Sequence, residues 1–241
     1  MTPEEEAIQE EAIAFAKANH KAIVKEVLAD AVTGDEEPVS VFMAGAPGAG
    51  KTEASLGLLQ ELANDGITLF RLDPDELRAK FPAYTGANSS LFQRAVSKLV
   101  DKIHDQLLKH KVSFMMDGTL SSYDVAKSNI ERSLKKGRLV RILFVYQKPE
   151  LSWGFVQKRE AVEGRNIPLE AFITQYFASR RVVNTLKTEF GDAIEVNVIV
   201  KNLDGSTPET AEVNVTSIDA CVPEGYTEEG LRQMLITRGR V

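Results

Sequence analysis

The chain is short of the residues that cross-link, anchor or electrostatically tether a protein. Its single cysteine, Cys221, rules out an intramolecular disulfide and makes a reducing cytoplasm the simplest setting. It lacks a partnering histidine motif and reads as inert. No apolar run reaches transmembrane length, and the N-terminal PEEEAIQEE has the wrong sign for a secretory signal, so no membrane partner is expected. A basic excess is missing as well: 29 Lys and Arg face 35 Asp and Glu, for a net charge of −6. Neutralising nucleic-acid phosphates takes a concentrated basic surface, so this balance argues against a constitutive nucleic-acid binder while leaving room for a kinase with a local basic cleft. The histidines at 20, 104 and 110 show no metal-ligand spacing and read as surface or packing residues.

What remains is an ordinary globular composition, 43% hydrophobic and 27% charged over 241 residues, long enough for a sizeable core in a single domain. Apolar spacing predicts a helix over 4–31, broken by TGDEEP, and a buried strand through Val41, Phe42, Met43 and Ala44. A helix over 52–64 follows, then strands over Ile67–Leu72 and Val112–Met116 on either side of a helical stripe over 89–110. Next come a helix over 122–136, a strand over 139–146, and two helices over 149–163 and 168–190. A strand over 193–200 is expected to return through an Asp-Gly turn at 204–205 into a strand over 211–218, and a short helix capped by Thr227 ends the chain. Strands alternating with helices require an α/β fold, a mainly parallel sheet with helices on both faces. Segment 201–241 is then an extension of that one domain.

Between the first strand and its helix stands GAPGAGKT, which fits G-x-x-x-x-G-K-[ST] in the context that motif needs. This makes Gly45, Ala46, Pro47, Gly48, Ala49 and Gly50 a phosphate-binding loop of the P-loop NTPase or kinase type, a three-layer sandwich. Its amides and the following helix dipole would hold the polyphosphate of ATP. Lys51 is placed to reach the β and γ phosphates, and Thr52 to hold Mg²⁺ through its hydroxyl.

In an open parallel sheet, ligands bind beyond the carboxyl ends of the strands, where the remaining polar clusters of this chain fall. Phosphoryl transfer needs a carboxylate near the acceptor hydroxyl and cations over the transferring group. Asp73 and Asp75 of DPDEL can supply the carboxylate, although an Asp before Pro-Asp-Glu is also a helix N-cap. Asp117 precedes Gly118 and equally suits a turn, with Thr119 beside it. Asp101 falls opposite the apolar stripe of its helix, which by pattern makes it a solvated carboxylate. Arg159 and Arg165 flank a helix junction after the fourth strand, though single arginines on helices are commonly surface residues.

The succession of the phosphate loop, DPDELRAKFPAY, a helix bearing an acid, a strand ending in DGT, and arginines before an x-Pro helix resembles the zeta toxin family over residues 40–190. The most specific shared piece is Asp75 placed seven residues before Pro82. The resemblance implies an ATP-dependent kinase whose acceptor is a hydroxyl of the amino sugar in UDP-N-acetylglucosamine, restrained by a protein antitoxin. Lys51 and Thr52 would then serve ATP and Mg²⁺, and Asp75 would be the general base, leaving Asp73 near the acceptor. Asp101 and Asp117 match positions where better-known members place glutamates against the nucleotide sugar; Thr119 matches their threonine. Arg159 and Arg165 match the pair that clamps the phosphates. This chain departs from the pattern at Leu120 and Ser121, where those members carry glycine and arginine, and the departure bears on the acceptor. Two other readings keep the loop: the same fold with another acceptor (a dinucleotide, an antibiotic or a nucleic-acid end), and a slow ATP-hydrolysing switch that signals through a partner.

Overall fold

The apolar run ahead of the glycine-rich loop forms β1 (Val39–Ala44), a central strand of a six-stranded sheet in the computed structural model. The structure describes residues 1–164, 166–201, 210–222 and 225–238. β1 pairs in parallel with β3 (Phe114–Met116) on one side and β4 (Leu139–Tyr146) on the other. Beyond β3 lies β2 (Phe70–Leu72), and beyond β4 lies β5 (Glu195–Val200), both again parallel. Only β6 (Thr210–Glu212) runs antiparallel, against β5. The sheet order β2-β3-β1-β4-β5-β6 therefore aims the chain leaving five successive strands at one edge.

Helices flank this sheet. α1 (Pro3–Val27) begins with a full capping box in which Thr2 and Glu5 exchange side-chain and backbone bonds. α2 (Lys51–Asn64) follows the loop, and α3 (Pro74–Arg78) is a single short turn after β2. α4 (Gln93–Lys109) buries the expected stripe, Ala95, Val96, Leu99, Ile103 and Leu107. α5 (Tyr123–Leu134), α6 (Pro149–Glu163), α7 (Leu169–Phe190) and α8 (Glu228–Arg238) complete the set. Phe42, Phe114, Met115, Ile142 and Val145 fill the core between the layers. No helix among the described residues is long and apolar enough to cross a membrane.

Several expected elements are shorter than their apolar patterns. α1 ends at Val27 rather than 31, since the chain turns at Leu28. β2 starts at Phe70, not Ile67, because the amide of Ile67 is spent on Leu62 at the end of α2. β3 starts at Phe114 rather than Val112, and the first turn of the expected 89–110 helix is a 3₁₀ turn over Ser89–Phe92. The expected return strand over 211–218 is reduced to β6, and its Asp-Gly turn lies outside the described residues.

One buried arginine secures the opposite edge of the sheet. Arg138 donates from Nε to Ser40 Oγ (2.7 Å) and from Nη2 to the carbonyls of Val39 (2.8 Å) and Val112 (2.6 Å). It lies over the ring of Phe114 at 5.0 Å, and its burial lowers its pKa to about 10. It thus ties the starts of β1 and β4 to the segment that leads into β3.

Candidate active site

The loop after β1 needs its glycines for two separate reasons. Gly45, Gly48 and Gly50 have φ of 130°, 74° and 83°, backbone that side chains disfavour. A Cβ at Gly45 would stand 2.3 Å from the Val145 carbonyl oxygen, and one at Gly48 would stand 2.2 Å from that of Ser152. The loop is thus pressed onto β4 and the first turns of α6, which leaves its open side to a ligand. Gly50, left-handed and without a side chain, caps α2, so no side chain of the cap covers that positive helix end. Lys51 Nζ folds back onto the carbonyls of Gly45 (3.0 Å) and Ala46 (2.6 Å), holding a cation on the first limb of the loop. Thr52 is exposed in the first turn of α2, where its hydroxyl would be available to a hydrated metal ion. These residues fit a polyphosphate with its Mg²⁺.

Across β3, the end of β2 presents a second cluster. Asp73 caps α3: its Oδ1 accepts from the amide of Asp75 (2.8 Å), and its Oδ2 accepts from Arg71 Nη2 (2.5 Å). Arg71 also donates to Asp117 Oδ2 (2.9 Å) and Glu76 Oε1 (2.7 Å), so one guanidinium holds carboxylates from the ends of two strands. Burial raises the Asp73 pKa, with the Asp75 amide as the main opposing influence. Burial works against the charge on Arg71 too, but the bond to Asp117 and the charge of Asp73 raise its pKa overall.

Asp75 is differently placed. Its Oδ1 accepts from the buried Arg78, whose Nη2 reaches Gln93 Oε1 (2.8 Å) at the start of α4. Its side chain nevertheless keeps 38% of its surface, against 13% for Asp73. The turn beyond it is braced by Phe81, whose ring meets Phe15 of α1 and Phe92 (5.5 and 5.4 Å between centroids). Phe81, beside the exposed Pro82 of the motif, thus anchors the short helix that carries the carboxylate.

Thr119 links the two clusters. Its carbonyl accepts from the amide of Gly45 (3.2 Å), and its hydroxyl pairs with Ser121 Oγ (2.9 Å). Leu120 between them has φ of 52°, the left-handed conformation that favours glycine. Lys51, Asp73, Asp75, Asp117 and Thr119 are therefore gathered along one edge.

Asp101 stands apart from these contacts. It is exposed on α4 and pairs with Arg132 of α5 (2.7 Å), which also holds Asp105. Arg159 is exposed on α6, one turn beyond Val156, whose methyl lies 3.2 Å from a Cβ placed on Gly48. Arg165 lies outside the described residues. Sequence reasoning passed over Arg71, Arg78 and Lys201. The first two carried signals: Arg71 is two residues before Asp73 on one strand face, and Arg78 is three after Asp75 on one helix face. Lys201, which pairs with Glu53 at 3.0 Å, carried none.

Comparison with known proteins bears on the family and the fold. The sequence model of the Zeta toxin family matches residues 24–208. Toxin PezT of Streptococcus pneumoniae is 25% identical over 125 residues, 49% of this chain and 48% of PezT, so the match spans about half the length of that relative. A solved chain of the PezAT chromosomal toxin–antitoxin system of that organism superposes with a TM-score of 0.64 and 17% identity over 97% of both chains. The AvrRxo1-ORF1:-ORF2 structure with ATP gives a TM-score of 0.58 and 18% identity over 91% of this chain and 72% of the other. With its mostly parallel sheet, its phosphate loop and a family match over most of its length, the chain belongs to the zeta toxin family of P-loop kinase-like proteins.

Proposed function

We propose that this protein is an ATP-dependent kinase that phosphorylates a sugar hydroxyl of UDP-N-acetylglucosamine, and that it is the toxin of a toxin–antitoxin pair. The observation that carries the reading is the division of labour within DPDEL. Asp73, bound to Arg71 and to the Asp75 amide, keeps 13% of its side-chain surface, whereas Asp75, bound to Arg78, keeps 38% on the edge that carries the phosphate loop. A switch that only hydrolyses ATP has no acceptor hydroxyl for such a carboxylate to deprotonate. The likeness to PezT, to a chain of a toxin–antitoxin system and to a fold solved with ATP supports the donor and the biological role.

The sheet order supports one arrangement of the reactants. β3 lies between β2 and β1, so an acceptor held by Asp117 and Thr119 sits between Asp75 and the phosphate loop. Lys51 and the loop amides bind the β and γ phosphates of ATP, and Thr52 would hold Mg²⁺, which neutralises charge on the polyphosphate. Asp75 takes the proton of the acceptor hydroxyl as its oxygen bonds to the γ-phosphorus. The bond from that phosphorus to the β–γ bridging oxygen breaks, and ADP leaves. Arg78 orients Asp75, and the family resemblance gives Arg159 and Arg165 the part of supplying positive charge to the transferring group.

Incubation with ATP and separate pools of nucleotide sugars, dinucleotides and nucleic-acid ends, read by mass, tests the assignment. One added phosphate on UDP-N-acetylglucosamine is expected, and its absence after Lys51→Ala. Placing arginine at Ser121 is expected to tighten sugar-nucleotide binding by about 1.5 to 3 kcal/mol through one charge-assisted hydrogen bond. Efficient phosphorylation of a dinucleotide, with UDP-N-acetylglucosamine ignored, would replace the acceptor and leave the fold and the reaction standing.

A further inference from the structure

Lys201 follows β5 and is held there by its amide, which donates to the Tyr146 carbonyl (2.8 Å). Its side chain is 9% exposed and lies along the second limb of the phosphate loop. Its Cδ and Nζ are 3.0 and 3.4 Å from a Cβ placed on Gly50. The ammonium donates to Glu53 Oε2 (3.0 Å), a side chain 71% exposed in the first turn of α2. Burying an ammonium to meet a solvated glutamate is a poor way to gain stability, because the attraction is screened while the desolvation is not recovered. It is a good way to store a cation beside a loop built for anions.

The sheet order says which part of a nucleotide that cation meets. The acceptor-side residues, Asp75, Asp117 and Thr119, end β2 and β3 on one side of β1, whereas Lys201 ends β5 on the other. Lys51 Nζ occupies the Gly45–Ala46 limb of the loop, and Lys201 Nζ the Gly50 limb. A γ-phosphate directed at the acceptor leaves the α-phosphate and nucleoside toward β5. We propose that Lys201 is a second cation of the nucleotide site, which exchanges the Glu53 carboxylate for the α-phosphate when nucleotide binds. The inference rests on the nucleotide assignment above and adds to it a residue outside the glycine-rich motif.

Calorimetric titration of ATP and ADP, without acceptor, into the wild type, Lys201→Met, Glu53→Gln and Lys51→Ala tests it. Lys201→Met is expected to weaken ATP and ADP by the same factor, about ten- to a hundredfold, since both carry the α-phosphate. Lys51→Ala is expected to cost more with ATP than with ADP. Glu53→Gln, on an exposed side chain that leaves folding intact, is expected to tighten both nucleotides severalfold by removing the competing carboxylate. A Lys201 that merely braces the loop would make Glu53→Gln weaken binding as Lys201→Met does, and that result overturns the proposal, as does wild-type affinity in Lys201→Met. Should Lys201→Met fail to fold, the sign of the Glu53→Gln effect decides by itself. Failure of ATP to bind the wild type would instead remove the nucleotide reading on which the inference stands.

Discussion

At the scale of single residues, the two aspartates of DPDEL show how neighbouring identical side chains acquire different work. Asp73 holds a helix terminus and a guanidinium, and asparagine keeps the capping geometry because its side-chain oxygen accepts the same amide. Asp75 faces outward from a buried arginine, and asparagine there cannot accept a proton. Asp75→Asn is therefore expected to slow phosphoryl transfer by about 100- to 10,000-fold with ATP affinity near normal, and Asp73→Asn to cost far less. Single-turnover transfer rates beside nucleotide titrations check this; a damaging Asp73→Asn with a harmless Asp75→Asn would reverse the roles. The pattern around Asp75 was legible in the sequence, since the Asp-to-Pro spacing and the i, i+3 arginine are local. The division between the two acids was not, because it depends on which oxygens Arg71 and the Asp75 amide occupy.

Among elements, α2 is set apart by how little it buries. Ser55 is its one fully buried residue and Leu56 is 54% exposed, so the helix rests on the core only through half-buried Ala54, Leu58 and Leu59. Gly57 lies exposed in its interior with open space around a would-be Cβ. Gly57→Ala is expected to stabilise the protein by about 0.5 to 1 kcal/mol through helix propensity alone. Gly45→Ala meets a backbone carbonyl at 2.3 Å and a disfavoured φ, and is expected to destabilise by at least about 1 to 3 kcal/mol and to weaken ATP binding. Urea melts of both variants read the two signs. Equal effects would mean that the loop gives way where the packing on β4 says it cannot.

On the scale of the whole molecule, the core holds a basic group that stays neutral. His104 on α4 is fully buried against the edges of Phe42 and Phe114, with centroids at 6.3 and 5.2 Å, and Asn129 of α5 is the polar side chain nearest to offsetting that burial. Burial, helped by the charge of Arg132, lowers its pKa from 6.5 to about 3. Within that interval the unfolded chain binds a proton that the folded one refuses. Stability is therefore whole above pH ~6.5 and declines as pH falls toward ~3, by at most about 1.4 kcal/mol per unit from this group. Denaturant melts across this range should show a shallower decline in His104→Leu than in the wild type; parallel curves would place the acid sensitivity elsewhere. The sequence placed this histidine among surface or packing residues, and only the depth of the layer between α4 and the sheet decided between them.

The chain by itself determined its fold class, its order of elements and its phosphate loop, because helical and strand periods, capping residues and loop glycines act over a few neighbours. Tertiary structure decided the partners of the charges. Arg71 meets Asp117 across 46 positions, and Lys201 meets Glu53 across 148. Asp101, which the family resemblance drew toward the acceptor, pairs with Arg132 on the outer surface of two helices. Such pairs follow from the order in which strands are laid side by side, and that order is settled by burying the whole sheet rather than by any segment within it.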